Sequence, residues 1–346
     1  MSGNTLSPGL TRAGYGLNPL LRYAVGSAVI MVVAMAWDYT LAYLTPVLAL
    51  NFLAPGSKPP TLISSITFLL SMAVANMTGV VFASFFLAYP LVFLPLLLLV
   101  LFHIYYTTAF PSVKLWLIIS LVVIPMMAMQ SPALGSIVAI NLFMNALMAL
   151  LLVWMAWFIF PGSEPGPGSH KTAGPAVTST RERFRSALQK ILVVAPVLIL
   201  FFVFNLYGSL LVLVFISVLS MNPAMVNKKI ALAMVLANLG GGVAAIIAFN
   251  LVTAATSIVF FGMLILLAGL VFAPRVFSHK PTAALFGMAY STFLLILGSV
   301  VSLAGEAGEK VWERVALIGV AMVYMVVAFG ITGGLISKND KLKQAL

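Results

Sequence analysis

Pro161 to Arg185 reads PGSEPGPGSHKTAGPAVTSTRERFR and holds four prolines, four glycines and a closing Arg-Glu-Arg-Phe-Arg cluster. It is the one long polar interruption in the chain. Such a composition cannot bury enough apolar surface to fold alone. On either side lie long stretches of mostly apolar sequence. The stretch therefore reads as a joint between two membrane-embedded halves.

The bulk composition supports lipid as the main solvent. Of 346 residues, 62% are hydrophobic and 7% charged, against about 25% charged in a soluble domain. So few charges cannot cover a water-facing surface. A membrane β-barrel alternates polar and apolar residues, whereas the apolar runs here are continuous. The expected fold is all-α: a polytopic helical bundle. The absence of cysteine excludes disulfides and thiolate chemistry. The first 19 residues are polar and Gly-rich, without the short apolar core of a cleavable signal.

A crossing helix needs about 20 apolar residues. The first half divides at roughly 20–37, 39–55, 62–84, 87–106, 113–129 and 134–160. The second divides at roughly 188–205, 208–222, 230–251, 255–273, 282–304 and 312–336. About twelve spans place both termini on one side. The basic residues say which: sixteen of the eighteen Lys and Arg fall in the segments that this count makes cytoplasmic. The net charge of +11 is thus a topology signal rather than a nucleic-acid one. The expected organisation is a cytoplasmic segment 1–19, a six-span repeat 20–160, a cytoplasmic linker 161–185, a second repeat 186–336 and a cytoplasmic tail 337–346.

The halves overlay. Arg22 matches Lys190, Trp37-Asp38-Tyr39 matches Asn205-Leu206-Tyr207, and Pro55 matches Pro223. Ala75-Asn76-Met77-Thr78-Gly79 matches Ala237-Asn238-Leu239-Gly240-Gly241. Six spans per copy makes the repeats parallel, related by an axis along the membrane normal.

On these residues the chain resembles the fusaric-acid-resistance and aromatic-acid-exporter family. That family is built from two six-span repeats, each with a basic entry, a proline after the second span and a third span rich in small residues. Asn76-Met77-Thr78-Gly79 departs from the Gly-Thr pair frequent in that family. Only 161–185 stands where larger members carry a cytoplasmic domain. The resemblance implies efflux of aromatic or other weak organic acids across a bacterial inner membrane, beside a periplasmic membrane-fusion adaptor.

The chemistry-bearing residues are few. Asn76 and Asn238 occupy equivalent positions, and two amides across a pseudo-two-fold axis would offer donors to a substrate carboxylate; their bland role is interhelical hydrogen bonding. Asn141 and Asn145 share a helix face. Lys58 and Lys228 sit in matching inner loops, as lipid-headgroup contacts or as attractors for an anionic substrate. Asp38 is a candidate proton site at the outer mouth, or a solvated carboxylate in an aromatic belt. His103 is a structural residue or a proton acceptor. Gly79 and Gly240-Gly241-Gly242 permit close helix packing, or break a helix to bind an anion. The three histidines share no metal-ligand spacing. No nucleotide-binding loop or hydrolase motif is present. No enzyme activity and no cofactor are expected.

The expected function is secondary export of small organic anions, with a non-transporting membrane scaffold subunit as the alternative. Glu306, Glu309 and Glu313 are the candidate dock for an adaptor. The chain is also a candidate for self-association.

Overall fold

The computed structural model describes residues 16–37, 41–107, 111–162, 179–206, 210–221, 228–255 and 257–301, with scattered positions between 316 and 332. Among these residues the regular structure is helical, with no strand. Eleven helices follow the apolar runs: α1 Leu17–Ala36, α2 Leu44–Leu53, α3 Leu62–Phe86, α4 Pro90–Tyr106, α5 Pro111–Ala128, α6 Pro132–Ile159, α7 Thr180–Val203, α8 Leu210–Leu219, α9 Lys228–Ala254, α10 Ile258–Val276 and α11 Ala283–Val301. Three of them start on proline, whose missing N–H costs nothing in a first turn. Large apolar side chains such as Ile63, Leu91 and Phe158 stand outward, unprotected by other parts of the chain. That surface suits hydrocarbon and not water.

Among the described residues, seven helices are long and apolar enough to cross a membrane: α1, α3, α6, α7, α9 (from Leu232), α10 and α11. The second helix of each half is shorter than expected. α2 and α8 have ten residues each, about 15 Å of rise against a hydrocarbon thickness near 30 Å. The expected span at 312–336 lies largely outside the described residues.

The linker also ends earlier than its composition suggests. Ser179 caps α7: its hydroxyl accepts from the Glu182 N–H, and the Glu182 carboxylate accepts from the Ser179 N–H. This reciprocal pair satisfies two otherwise orphaned donors and makes 180–185 helical. α7 stops at Asn205, which takes a left-handed φ of 54° while the Leu206 N–H bonds the Phe201 carbonyl. Asn tolerates that conformation better than most side chains.

The compact units do not follow chain order. One comprises the described parts of 1–62, 145–174 and 237–311, the other those of 63–144, 175–236 and 312–346. α6 and α9 each contribute to both. In the first unit α1 packs on α2 and α10, and α11 closes a ring by meeting α10 and α2. In the second unit α7 packs on α8 and α4, and α5 closes a ring by meeting α4 and α8. Each ring takes the first two helices of one half and the fourth and fifth of the other.

Aromatic rings fill both cores. In the first unit Tyr23 lies 5.7 Å from Phe277 and 5.4 Å from Tyr290 between centroids, and the Ser27 and Tyr290 hydroxyls share a 2.6 Å hydrogen bond. In the second, Phe93 joins Phe82 at 5.5 Å and Phe202 at 5.1 Å.

Candidate functional site

The paired amides are spent on packing. Asn76 is buried on α3; its side-chain carbonyl accepts from the Ser120 hydroxyl of α5 at 2.7 Å. Its amide donates to the Ala139 carbonyl of α6 at 2.8 Å. Asn238 is buried on α9 and accepts from the Thr292 hydroxyl of α11. The same tie thus joins the third and fifth helices of each half. Asn76 thus has its carbonyl and one amide N–H engaged, and Asn238 has its carbonyl engaged. Both residues make hydrogen bonds between helices, the role weighed beside substrate binding.

The neighbouring glycines follow the same logic. A Cβ at Gly79 would come within 2.7 Å of the Ser120 carbonyl oxygen, and one at Gly241 would collide with the Ala289 carbonyl. Only glycine allows these close approaches. Gly242 is buried. Gly240 faces open space, so its expected packing role is corrected. α9 runs unbroken through all three glycines, which removes the broken-helix anion site.

The other expected residues are scattered. Asn145 is buried in the first unit and accepts from the Thr45 hydroxyl of α2 at 2.7 Å. Asn141, one turn before it on α6, is half-buried and has a partner of its own. Lys58 is exposed in the turn after α2, and His103 is exposed near the end of α4. Lys228 opens α9. Asp38 and the Glu306, Glu309 and Glu313 loop lie outside the described residues. No group of three metal-ligating side chains occurs among the described residues.

What the structure does offer is a cavity of about 850 Å³ inside the second unit. It lies where α3 and α5 end, α4 and α6 begin, and α7 stops. Phe93, Phe202 and Ile124 supply apolar wall; Ser84, Ser136 and Asn205 supply the polar atoms. Among the described residues no charged side chain lines it. Ser84 spends its proton on the Val80 carbonyl at 2.8 Å, so its oxygen can still accept. Sequence reading missed this space because it is made by five helix ends, each of which looks like ordinary apolar sequence.

Arg22 is the buried cation of the first unit. Its guanidinium lies 3.3 Å over the Trp157 ring centroid, and Nη1 donates to the Phe160 carbonyl at 3.1 Å. Nε has no partner. Trp157 is itself fixed by donating to the Phe52 carbonyl at 3.2 Å. The charge rests on a ring face and a carbonyl, an arrangement worth about 0.5–2 kcal/mol for the cation–π part.

No protein-family model matches the chain, and neither the curated proteins nor the solved structures include a significant match to it.

Proposed function

We propose that the chain is a secondary transporter that exports small, mainly apolar organic acids, aromatic acids among them, across a bacterial inner membrane. The observation that carries this reading is the uncharged cavity of about 850 Å³. It falls in the size range of small-molecule sites, which are largely apolar with a few placed polar groups. A wall without cations suits a weak acid in its protonated form, because an isolated carboxylate would be left without a counter-charge. The anion selectivity expected from the amides thus gives way to selectivity for the neutral acid at this point of the path.

The reading includes two six-span repeats with both termini in the cytoplasm. It is supported by the matching rings, by the amide–hydroxyl tie found once per half, and by the Asn-x-x-Gly spacing that places a tight glycine one turn beyond each amide. A periplasmic adaptor belongs to the reading as a partner. On this topology the cavity lies at the outward ends of its helices.

The test is accumulation of labelled benzoic and salicylic acid in cells with and without the protein. Lower accumulation in its presence, lost in a Ser136→Trp variant that fills the cavity, supports export. Equal accumulation, together with no movement in vesicles of the purified protein, overturns export and leaves the scaffold role.

A further inference from the structure

The cavity of the second unit is rich in hydrogen-bond acceptors and short of donors. Ser84 gives its hydroxyl proton to the Val80 carbonyl at 2.8 Å, and Ser136 gives its own to the Pro132 carbonyl at 3.4 Å. Both serines therefore present lone pairs. Two helices start at the cavity, each on a proline that belongs to its wall, Pro90 and Pro132. Proline has no N–H to offer. Further along, the Val92 and Phe93 N–H groups bond the Tyr89 carbonyl, and the Leu134 and Gly135 N–H groups bond the Ser131 carbonyl. α3, α5 and α7 end here, and a helix end carries unpaired carbonyls and about half a negative charge.

Asn205 is the exception. It lines the cavity, and its carboxamide makes no hydrogen bond to any described residue. Its backbone is fixed by the end of α7: φ is 54°, and the Leu206 N–H bonds the Phe201 carbonyl. Glycine serves this left-handed position at lower cost. The turn thus accounts for a small residue here and not for a carboxamide. A carboxamide offers an N–H donor and a carbonyl acceptor along one edge. A protonated carboxyl group presents the complementary edge, its O–H toward the amide oxygen and its carbonyl toward the amide N–H. A primary carboxamide does the same. An ionised carboxylate brings acceptors only, and so sets lone pairs against the Asn205 oxygen, the serine oxygens and the helix carbonyls. An ester lacks the donor as well.

We propose that Asn205 is the specificity-determining residue of the cavity and takes a neutral carboxyl or primary carboxamide group through two paired hydrogen bonds. The apolar remainder of the ligand lies against the Phe93 and Phe202 wall. Selection of the neutral acid as cargo rests on the transport reading; the binding itself does not.

The test measures binding to the full chain in phosphatidylcholine discs by equilibrium dialysis, with protein-free discs as the blank. The probes are labelled benzoic acid, benzamide and methyl benzoate. The wild type should bind benzoic acid at a pH below the acid's own pKa and lose it above. It should bind benzamide at both pH values, and methyl benzoate about tenfold more weakly than benzamide. Asn205→Gly keeps the left-handed backbone and removes the carboxamide. It should weaken benzamide and protonated benzoic acid about tenfold and leave methyl benzoate unchanged, a discrimination that altered packing alone does not produce. If that variant does not fold, the three probes on the wild type decide. Equal binding of the three probes, binding of none, or wild-type binding by Asn205→Gly overturns the proposal. Selective binding without export from cells keeps Asn205 in this role and removes the transport reading. Export without selective binding, unchanged in Asn205→Gly, keeps the transport reading and overturns this proposal.

Discussion

Ser120 donates its hydroxyl hydrogen bond to the Asn76 side-chain carbonyl at 2.7 Å, tying α5 to α3 inside the second unit. The bond is one of two that Asn76 makes across helices, the other going to Ala139 of α6. Replacing Asn76 by Ala strands a hydroxyl and a carbonyl and should cost about 1–2 kcal/mol. Asn238→Ala strands the Thr292 hydroxyl and should behave alike. Thermal unfolding in detergent checks this. The expected result is a lower midpoint in both variants, with uptake per folded molecule largely kept. Unchanged midpoints with lost transport would return these amides to substrate binding.

The glycines of α3 and α9 make a sharper comparison, because the adjacent Gly240 and Gly241 should respond differently. Gly241→Ala drives a methyl group into the Ala289 carbonyl and should cost about 1–3 kcal/mol. Gly79→Ala meets the Ser120 carbonyl and should cost a similar amount. Gly240→Ala meets open space and gains helix propensity of up to about 1 kcal/mol. Folded yield and unfolding midpoint should therefore fall for the first two and hold or rise for the third.

Filling the cavity tests its use directly. Ser84 and Ser136 both project from exposed positions on its wall, so a larger side chain there adds bulk without displacing core atoms. Ser84→Trp and Ser136→Trp should leave unfolding within about 0.5 kcal/mol of wild type, as surface changes usually do. Each should reduce acid export at equal protein level. Full export in both variants would show that the cavity is not on the path.

A topology reporter inserted near Gly168 should be active in the cytoplasm. The expectation comes from the distribution of Lys and Arg. A reporter exposed to the periplasm would reverse the assignment of cytoplasmic and outer ends, and with it the direction read for the cavity.

The membrane-embedded helical character was legible in the continuous apolar runs, and the limits of α1, α4 and α6 fall within three residues of where those runs predict them. The helix partners were not legible. In lipid an apolar face fits any other apolar face, so no pattern in α1 points to α10 rather than to α3. The hydroxyl partners were hidden for a related reason. Thr67, Ser71, Thr78 and Ser84 all bond the carbonyl four residues back in their own helix. Nothing in sequence separates Ser120, which reaches across. The start of α7 is a different case. Ser179-Thr180-Arg181-Glu182 is a capping signature written plainly in the chain, at the end of a stretch whose prolines and glycines otherwise carry the composition of a linker.

That cap divides the polar stretch into two materials. Up to Thr178 the composition is that of a tether, whose length can change at a cost that grows only with the logarithm of its size. From Ser179 onward it is a lever: Arg181, Arg183 and Arg185 move as one with the rest of α7. Residues added before Ser179 should alter reach alone. The same residues added after Arg185 would rotate the arginines about the helix axis by 100° per residue, away from Tyr106.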